Sequence, residues 1–230
     1  HVNDIEVAGG VTVNVNLFNL YEQDEGALTI VKTFSGAPAD ADLSGLNFDI
    51  QGPNGYSTSV AYGAFTDGQY TIRNLPVGEY RVTETNADTV LAGYTLLTST
   101  TSGTGVVTKG GSATVALTNN YETDLGDLRI VKTWSGVPAG ADVSGLSFTV
   151  TDSLGRTVAT VTYGDFTGGA YTHANLPIGS YTVTETNAGS LLANYTLASS
   201  SVTSGTGAVA KNTTATVTLI NTYEENLGSL

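Results

Sequence analysis

Cysteine is absent from this chain of 230 residues, and only 2 histidines are present. Without cysteine the protein has no disulfide, no thiolate metal site and no cysteine nucleophile. Two histidines at unrelated positions leave little material for a Ser/His/Asp triad or a zinc site. We therefore expect no metal ion, no organic cofactor and no catalysis on an external substrate.

Cationic side chains are scarce as well. The chain has 8 Lys and Arg against 21 Asp and Glu, which gives a net charge of −13. Such an acidic excess repels nucleic acid and anionic lipid, so neither is expected as a partner. Long apolar runs are also missing, since none approaches the ~20 residues that a membrane helix needs. A hydrophobic fraction of 40% is still enough to build cores, which argues against wholesale disorder.

The sequence repeats itself at a period typical of a small domain. LTIVKTFSGAPADADLSGL from Leu28 returns as LRIVKTWSGVPAGADVSGL from Leu128, and VALTNNYETDLG from Val115 returns as VTLINTYEENLG from Val217. The spacing drifts from 100 (Lys32 to Lys132) through 101 (Glu84 to Glu185) to 102 (Asn119 to Asn221). Two single-residue insertions explain the drift, and we expect both in loops, where insertions are tolerated.

A third, partial copy precedes the two full ones. VTVNVNLFNLYE from Val11 aligns with the end of each full repeat, and this places Asn19 where Asn119 and Asn221 lie. The segment EENLGSL that follows Tyr223 resembles the start of another unit. We interpret the chain as a slice of a longer tandem array, with residues 1–22 the last strand of a preceding repeat, 23–123 repeat 1 and 124–230 repeat 2.

Each full repeat predicts an all-β domain. Period-2 stretches rich in Val, Thr and Tyr occur about seven times per repeat and are separated by Gly, Pro, Asn, Asp and Ser, which is typical of an antiparallel sandwich. We expect the SGTG sequences at Ser102 and Ser204 to be hairpin turns. The link between the repeats, near residues 122–127, is short, so the two sandwiches should follow end to end as a rod.

Three polar residues in each repeat occupy positions that alternation assigns to the core. Side chains two apart on a strand share a face, so Leu28, Ile30 and Phe34 place Lys32 on the buried side. The same reasoning applies to five further residues: Glu84, Asn119, Lys132, Glu185 and Asn221. A lysine, a glutamate and an asparagine are therefore predicted to point into each core.

Burial of such groups suggests chemistry between them. Desolvation lowers the pKa of a lysine and raises that of a glutamate, which favours a neutral amine beside a neutral acid. A neutral amine is a nucleophile, the asparagine carboxamide carbon is an electrophile, and the acid can shuttle protons while ammonia leaves. The product would be a Lys–Asn isopeptide bond. A buried Lys–Glu ion pair with a hydrogen-bonded asparagine explains the same pattern, and a one-residue register slip would reverse the faces.

These residues lie in motifs that resemble a known family. The motifs are similar to those of the collagen-adhesin B-type (CnaB-like) repeats of Gram-positive adhesins and pilins. They are IVKT, which contains Lys32 or Lys132; Y-x-V-x-E-T, which contains Glu84 or Glu185; and N-x-Y, which begins at each predicted acceptor asparagine. The resemblance implies an immunoglobulin-like or transthyretin-like sandwich. It also implies an isopeptide bond between the first-strand lysine and the last-strand asparagine, assisted by the glutamate. These assignments pair Lys32 with Asn119 and Lys132 with Asn221.

The function implied is structural. We expect stalk or spacer repeats of a bacterial adhesin or fimbrial protein that is outside the cell and anchored to the cell wall. Each repeat would be stabilised by its own Lys–Asn isopeptide bond. The alternative is an adhesive module that contacts host matrix or glycan. Expected partners are neighbouring repeats and another domain that receives residues 11–21 by strand addition. Asn19 would be an acceptor without a lysine, whereas Lys109 and Lys211 are expected to be solvent-exposed turn lysines.

Overall fold

A computed structural model describes residues 9–228, and in them the chain forms two β-sandwiches without an α-helix. The predicted all-β fold of tandem sandwiches is confirmed. The strands of the first sandwich are β1 (Glu25–Ser35), β2 (Asn47–Gln51), β3 (Ser57–Ala61), β4 (Gln69–Pro76), β5 (Gly78–Glu84), β6 (Tyr94–Thr100), β7 (Ser102–Val107) and β8 (Ser112–Thr123). Those of the second are β9 (Leu125–Ser135), β10 (Ser147–Thr151), β11 (Thr157–Thr162), β12 (Ala170–Pro177), β13 (Gly179–Glu185), β14 (Tyr195–Leu197), β15 (Ser204–Val209) and β16 (Thr214–Glu225).

Each sandwich consists of two four-stranded sheets with the same topology. In the first domain the strand orders are β4-β1-β8-β6 and β3-β2-β5-β7, and in the second they are β12-β9-β16-β14 and β11-β10-β13-β15. The first and last strands of each domain lie side by side at the centre of one sheet and run parallel, whereas the other strand pairs are antiparallel. The chain therefore enters and leaves each domain through adjacent central strands.

The cores follow from the alternation of apolar side chains. On β1 the inward residues Leu28 and Ile30 are fully buried, and the facing sheet contributes Phe48, Tyr80 and Val82, which are also fully buried. The second domain repeats this cluster with the equivalent residues on β9, β10 and β13. Because the inner face of each sheet packs on the inner face of the other sheet, the pairing register of the strands is strongly specified. A slip of one residue would turn the inward apolar side chains to solvent.

The SGTG sequences form strands, so their prediction as turns was wrong. They lie in β7 and β15, which raises the strand number from about seven to eight per domain. The reason for the glycines is space: a Cβ at Gly103 would lie 2.8 Å from a side-chain carbon of Val115, and one at Gly105 would lie 3.2 Å from Ala113 and Val115. Glycine thus lets the edge strand of one sheet approach the central strand of the other.

The two insertions of the second repeat fall in different places, one within a strand and one in a turn. Between β10 and β11, Thr151 pairs with Thr157 but Val150 pairs with Ala159, so Val158 forms a bulge. The second insertion lies in the turn that follows β14. The strand β14 ends at Leu197, whereas its counterpart β6 in the first domain continues to Thr100. The prediction that both insertions lie in loops was therefore wrong for the first, since a bulge accepts one extra residue within a ladder.

The described part of the partial copy, from residue 9 onward, forms no strand. Among the described residues that precede β1, Val11, Leu17, Phe18 and Leu20 are all more than half exposed. The expected strand in residues 11–21 therefore has no ladder in this structure, and the segment does not bury its apolar face on the first domain. The remaining residues of the predicted segment 1–22, namely residues 1–8, lie outside the described part of the chain.

The close approach at β7 leads to a stability prediction. Gly103→Val should lower the free energy of unfolding by about 1–3 kcal/mol, because the added side chain overpacks against Val115. Thr104→Val is the matched control: Thr104 lies on the same strand but faces solvent, so its effect should stay within about 0.5 kcal/mol. Denaturant unfolding measures both variants. Equal stability of the two variants would contradict the role of Gly103 in sheet packing.

Candidate functional site

The three polar residues predicted to point inward come together in each domain. Lys32 is on β1 and Asn119 is on the neighbouring parallel strand β8. Lys32 pairs with Leu117 and Phe34 pairs with Asn119, so the lysine and the asparagine are diagonal neighbours on one face. Glu84 ends β5 in the opposite sheet and reaches across the sandwich, so each cluster joins both sheets.

Burial of the clusters is nearly complete. The predicted inward residues are at most 7% exposed, and the side chains of both lysines and both glutamates are fully shielded from solvent. Among residues 9–228, the buried residues that are polar or charged are these six: Lys32, Glu84, Asn119, Lys132, Glu185 and Asn221. Their predicted burial is therefore confirmed. Within the described residues, the cost of burying charge is therefore concentrated at two equivalent places.

In the first domain the glutamate bridges the other two side chains. Lys32 Nζ lies 2.6 Å from Glu84 Oε1, as an ion pair that lacks the alignment of a hydrogen bond. Asn119 Nδ2 donates a hydrogen bond to Glu84 Oε2 at 2.9 Å. One carboxylate thus contacts the amine through one oxygen and the carboxamide nitrogen through the other.

The second domain has the same arrangement. Lys132 Nζ lies 3.2 Å from Glu185 Oε1 and also donates to the backbone carbonyl of Thr133 at 3.1 Å. Asn221 Nδ2 donates to Glu185 Oε2 at 2.7 Å. Because the arrangement recurs in two sequences that differ at many positions, it is a property of the repeat and not of one local packing solution.

A tyrosine completes each cluster, and sequence reasoning gave it no role. Asn119 Nδ2 donates to Tyr121 Oη at 3.3 Å, and this hydroxyl in turn donates to the carbonyl of Ala87 at 2.8 Å. In the second domain Tyr223 donates to the carbonyl of Ala188 at 2.7 Å. The N-x-Y motif was the available signal, since two residues apart on a strand means the same face.

An aromatic ring lies beside each lysine. Lys32 Nζ is 4.9 Å from the centroid of the Phe34 ring, and Lys132 Nζ is 4.4 Å from that of Trp134. Such a contact attracts the charged amine, but it places the amine in a low-dielectric pocket. The ring therefore excludes water from the amine while offsetting only part of its desolvation.

Burial changes the proton affinity of these groups. It lowers the pKa of Lys32 and of Lys132, although the charge of the adjacent glutamate acts in the opposite direction. Burial raises the pKa of Glu185, against the hydrogen bond from Asn221 and the charge of Lys132. In the second domain these shifts bring amine and acid closer in proton affinity, so that transfer of one proton from Lys132 to Glu185 costs less than it does in water.

The asparagine carbonyl oxygens of both clusters have no hydrogen-bond partner among the described residues. Asn119 Oδ1 and Asn221 Oδ1 are both buried, and neither accepts a hydrogen bond from the described residues. A buried acceptor without a partner carries a desolvation penalty of about 1–3 kcal/mol. A reaction at the adjacent carboxamide carbon requires a carbonyl oxygen that is able to accept a proton, and the asparagine Oδ1 atoms meet this requirement.

Other candidate residues are not brought to these clusters. Asn19 is exposed in the segment that precedes β1. Lys109 and Lys211 lie in turns as predicted, but each forms an ion pair, with Asp24 at 2.6 Å and with Asp124 at 2.8 Å. The expectation of solvent-exposed turn lysines was therefore incomplete. No group of three or more His, Asp or Glu able to hold a metal ion occurs within residues 9–228, and no helix there is long and apolar enough to cross a membrane.

The tyrosine hydroxyl gives a direct test of the cluster. Tyr121→Phe should lower the free energy of unfolding by about 1–3 kcal/mol, because the buried carbonyl of Ala87 loses its hydrogen-bond donor. Tyr21→Phe is the control, since Tyr21 is 84% exposed and should change stability by less than about 0.5 kcal/mol. Chemical denaturation measures both. If the two variants unfold alike, the tyrosine does not support the site.

Comparison with known proteins gives a family and a fold. A family model described as "Domain of unknown function (DUF5979)" matches residues 28–122 and 128–224, whereas no curated protein matches the chain. Among solved structures, the C-terminal fragment of the pilus adhesin SpaC from Lactobacillus rhamnosus GG is similar with a TM-score of 0.54 at 15% identity, covering 90% of this chain and 100% of that fragment.

The Bacillus anthracis TIE protein is similar with a TM-score of 0.50 at 22% identity over 86% of this chain. This chain spans 34% of the length of that protein. At such identities the two solved structures establish a shared fold. The family model covers both repeats, and the chain therefore belongs to the DUF5979 domain family, of which it contains two copies.

Proposed function

We propose that each domain joins its first and last strands by an isopeptide bond, and that the chain is a structural stalk of a bacterial surface adhesin or fimbrial protein. The observation that carries the proposal is the pair of buried Lys–Glu–Asn clusters. Lys32 with Asn119, and Lys132 with Asn221, would be the bonded residues, and Glu84 and Glu185 the proton shuttles. The chain would turn over no external substrate.

The two oxygens of the glutamate suggest the course of the reaction. The lysine ammonium gives one proton to the carboxylate, and the neutral amine attacks Cγ of the asparagine. The protonated glutamate and the attacking nitrogen then each supply one proton to the carboxamide nitrogen, which leaves as ammonium. One N–C bond forms, one C–N bond breaks, and the glutamate ends as a carboxylate, as it began. Oε1 near Nζ and Oε2 near Nδ2 are the positions that such a transfer needs.

Holding the amine and the carboxamide next to each other would accelerate the reaction between them. Amine and carboxamide are held as diagonal neighbours on adjacent strands, so the reaction is intramolecular and gains a large effective molarity. Water is excluded from the fully buried amine and acid. The alternative is a permanent ion pair with a hydrogen-bonded asparagine, which uses the same contacts but leaves the asparagine Oδ1 atoms without partners.

The position of the bond supports a mechanical role. Tension on a stalk enters a domain through its first strand and leaves through its last, and these strands are parallel neighbours. A bond between them would carry force past the noncovalent core. By analogy with other loop-closing crosslinks, closing a loop of nearly 90 residues also stabilises the domain by about 4–5 kcal/mol.

The assignment to a cell surface rests on the fold shared with SpaC and TIE and on the motifs. Within such a protein we take residues 23–123 and 124–230 as two units of a tandem array, with residues 1–22 as the last strand of a preceding unit. Neighbouring repeats would be the partners. The exposed apolar residues of the segment 11–21 support strand addition to a domain that lacks its last strand, with Asn19 as an acceptor for the lysine of that domain.

Intact mass tests the bond directly. The folded protein should weigh less than its sequence by one ammonia per domain, hence by two in all. Glu84→Ala or Lys32→Ala should restore one ammonia, and a variant with both Glu84→Ala and Glu185→Ala should restore both, because the amine is then no longer deprotonated. Proteolytic digestion of the native protein should yield a peptide that joins Lys32 to Asn119.

Lys109→Ala is the matched control for the mass measurement. Lys109 is also a lysine of the first domain, but its ion pair with Asp24 is exposed, so this variant should keep both losses of ammonia. A folded protein of full unreacted mass would rule out the bond and leave the ion pair as the explanation. Survival of both losses after both glutamate substitutions would rule out the proton shuttle.

Pulling single molecules from their ends tests the stalk function. The native chain should show no extension from the segment between Lys32 and Asn119, because the bond shunts force past it. The variant with both glutamates replaced should show two unfolding events, one per domain. Unfolding of full domains in the native chain at the same forces would contradict a force-bearing role, even if the mass showed the bond.

A further inference from the structure

The two domains are connected by a single residue that hydrogen-bonds to both. Asp124 lies between the end of β8 and the start of β9. Its backbone N–H donates to the carbonyl of Gly93 in the first domain at 2.8 Å, and its carbonyl accepts from the N–H of Ile178 in the second domain at 3.0 Å. The main chain of the linker is therefore tied to one loop of each domain.

The side chain of Asp124 repeats this pattern. Its Oδ1 accepts a hydrogen bond from Thr95 Oγ1 of the first domain at 2.6 Å and lies 2.8 Å from Lys211 Nζ of the second. Lys211 Nζ also contacts Thr95 Oγ1 directly. The hydrogen bonds from Lys211 and Thr95 hold the pKa of Asp124 below its ordinary value, so the carboxylate is charged at neutral pH.

Halves of the same junction occur at both ends of the two-domain unit. At Asp24, one period earlier, the carbonyl accepts from the N–H of Val77 at 3.2 Å and the carboxylate pairs with Lys109 at 2.6 Å. These contacts correspond to those of Asp124 with the domain that follows it. Val77 and Lys109 are the counterparts of Ile178 and Lys211 in the repeat alignment.

The other half recurs at Asn226, one period later. Its N–H donates to the carbonyl of Asn194 at 2.9 Å, and its Oδ1 accepts from Thr196 Oγ1 at 2.5 Å. These contacts correspond to those of Asp124 with the domain that precedes it. The junction is therefore encoded in the repeat, and each domain contributes a threonine and a carbonyl at one end and a lysine and an N–H at the other.

Exposure of the acidic residue shows what a second domain adds. The side chain of Asp24, with contacts to one domain, is 47% exposed, whereas that of Asp124, with contacts to two, is 15% exposed. The lysines follow the same order, with Lys109 at 77% and Lys211 at 45%. An isolated ion pair at a surface contributes little, but here a charge pair, a hydroxyl and two backbone bonds converge on one residue and shield it.

We propose that Asp124 fixes the orientation of consecutive domains, and that Asp24 and Asn226 are docking sites for further domains of the same kind. The partner at Asn226 would be a domain that presents a turn lysine and an N–H equivalent to those of Lys211 and Ile178. The partner at Asp24 would present a threonine hydroxyl and a carbonyl. An asparagine at position 226 accepts from lysine without a charge pair, so that contact is the weaker of the two.

Interdomain distances test this proposal. The chain has no cysteine, so Ser59→Cys and Thr160→Cys introduce two unique sites for spin labels on equivalent exposed strand positions. Pulsed electron paramagnetic resonance should give a single, narrow distribution of distances between the two labels in the otherwise native protein. Lys211→Ala and Asp124→Ala should each broaden the distribution, because the second domain is released. The measurement does not depend on the isopeptide bond, so its failure would leave that proposal intact.

Lys109→Ala is the matched control for the distance measurement, because it removes the equivalent lysine from a junction that does not lie between the two labelled domains. Its distance distribution should equal that of the native protein. A broad distribution in the native protein, or native width in both Lys211→Ala and Asp124→Ala, would overturn the proposal. Equal broadening in Lys109→Ala would do so as well, because the effect would then not be specific to the junction.

Discussion

A lysine amine with no access to water, in contact with a single carboxylate, is the constraint on which each domain depends. A buried charge costs several kcal/mol unless it is paired. In each domain the lysine is paired with one glutamate from the opposite sheet, which offsets this cost. Glu84 therefore fixes the distance between the sheets at the point where Lys32 enters the core. Apolar side chains such as Phe48 and Tyr80 then fill the remaining space.

The parallel pair of first and last strands gives this constraint its place in the architecture. Antiparallel hairpins bring together residues that are close in sequence, but β1 and β8 are the first and last strands of the domain and pair with each other in the folded structure. The amine and the carboxamide therefore meet in the native state and not in the unfolded chain. The proposed chemistry between them would therefore be confined to correctly folded domains, and a misfolded domain would keep its lysine free.

The sequence was sufficient to predict the strands with unbroken alternation and the clusters that they carry. Lys32, Glu84 and Asn119 could be identified because each lies among buried apolar residues of period two. The strand β7 could not, because glycine has low strand propensity and its reason here is the nearness of Val115 on the other sheet. The contact of Lys211 with Asp124 was also missed, since a turn lysine does not reveal a partner on another domain.

The proposed bond and the junction at Asp124 would give this chain two kinds of rigidity, which have different physical origins. Within a domain, a covalent bond would make stiffness independent of noncovalent stability, whereas the junction at Asp124 is built from reversible bonds. Salt at high concentration screens an ion pair that is partly exposed, but it does not affect an amide bond. A stalk of this design would therefore keep its domains folded under load while its junctions yield first, so that the array bends or straightens before any domain unfolds.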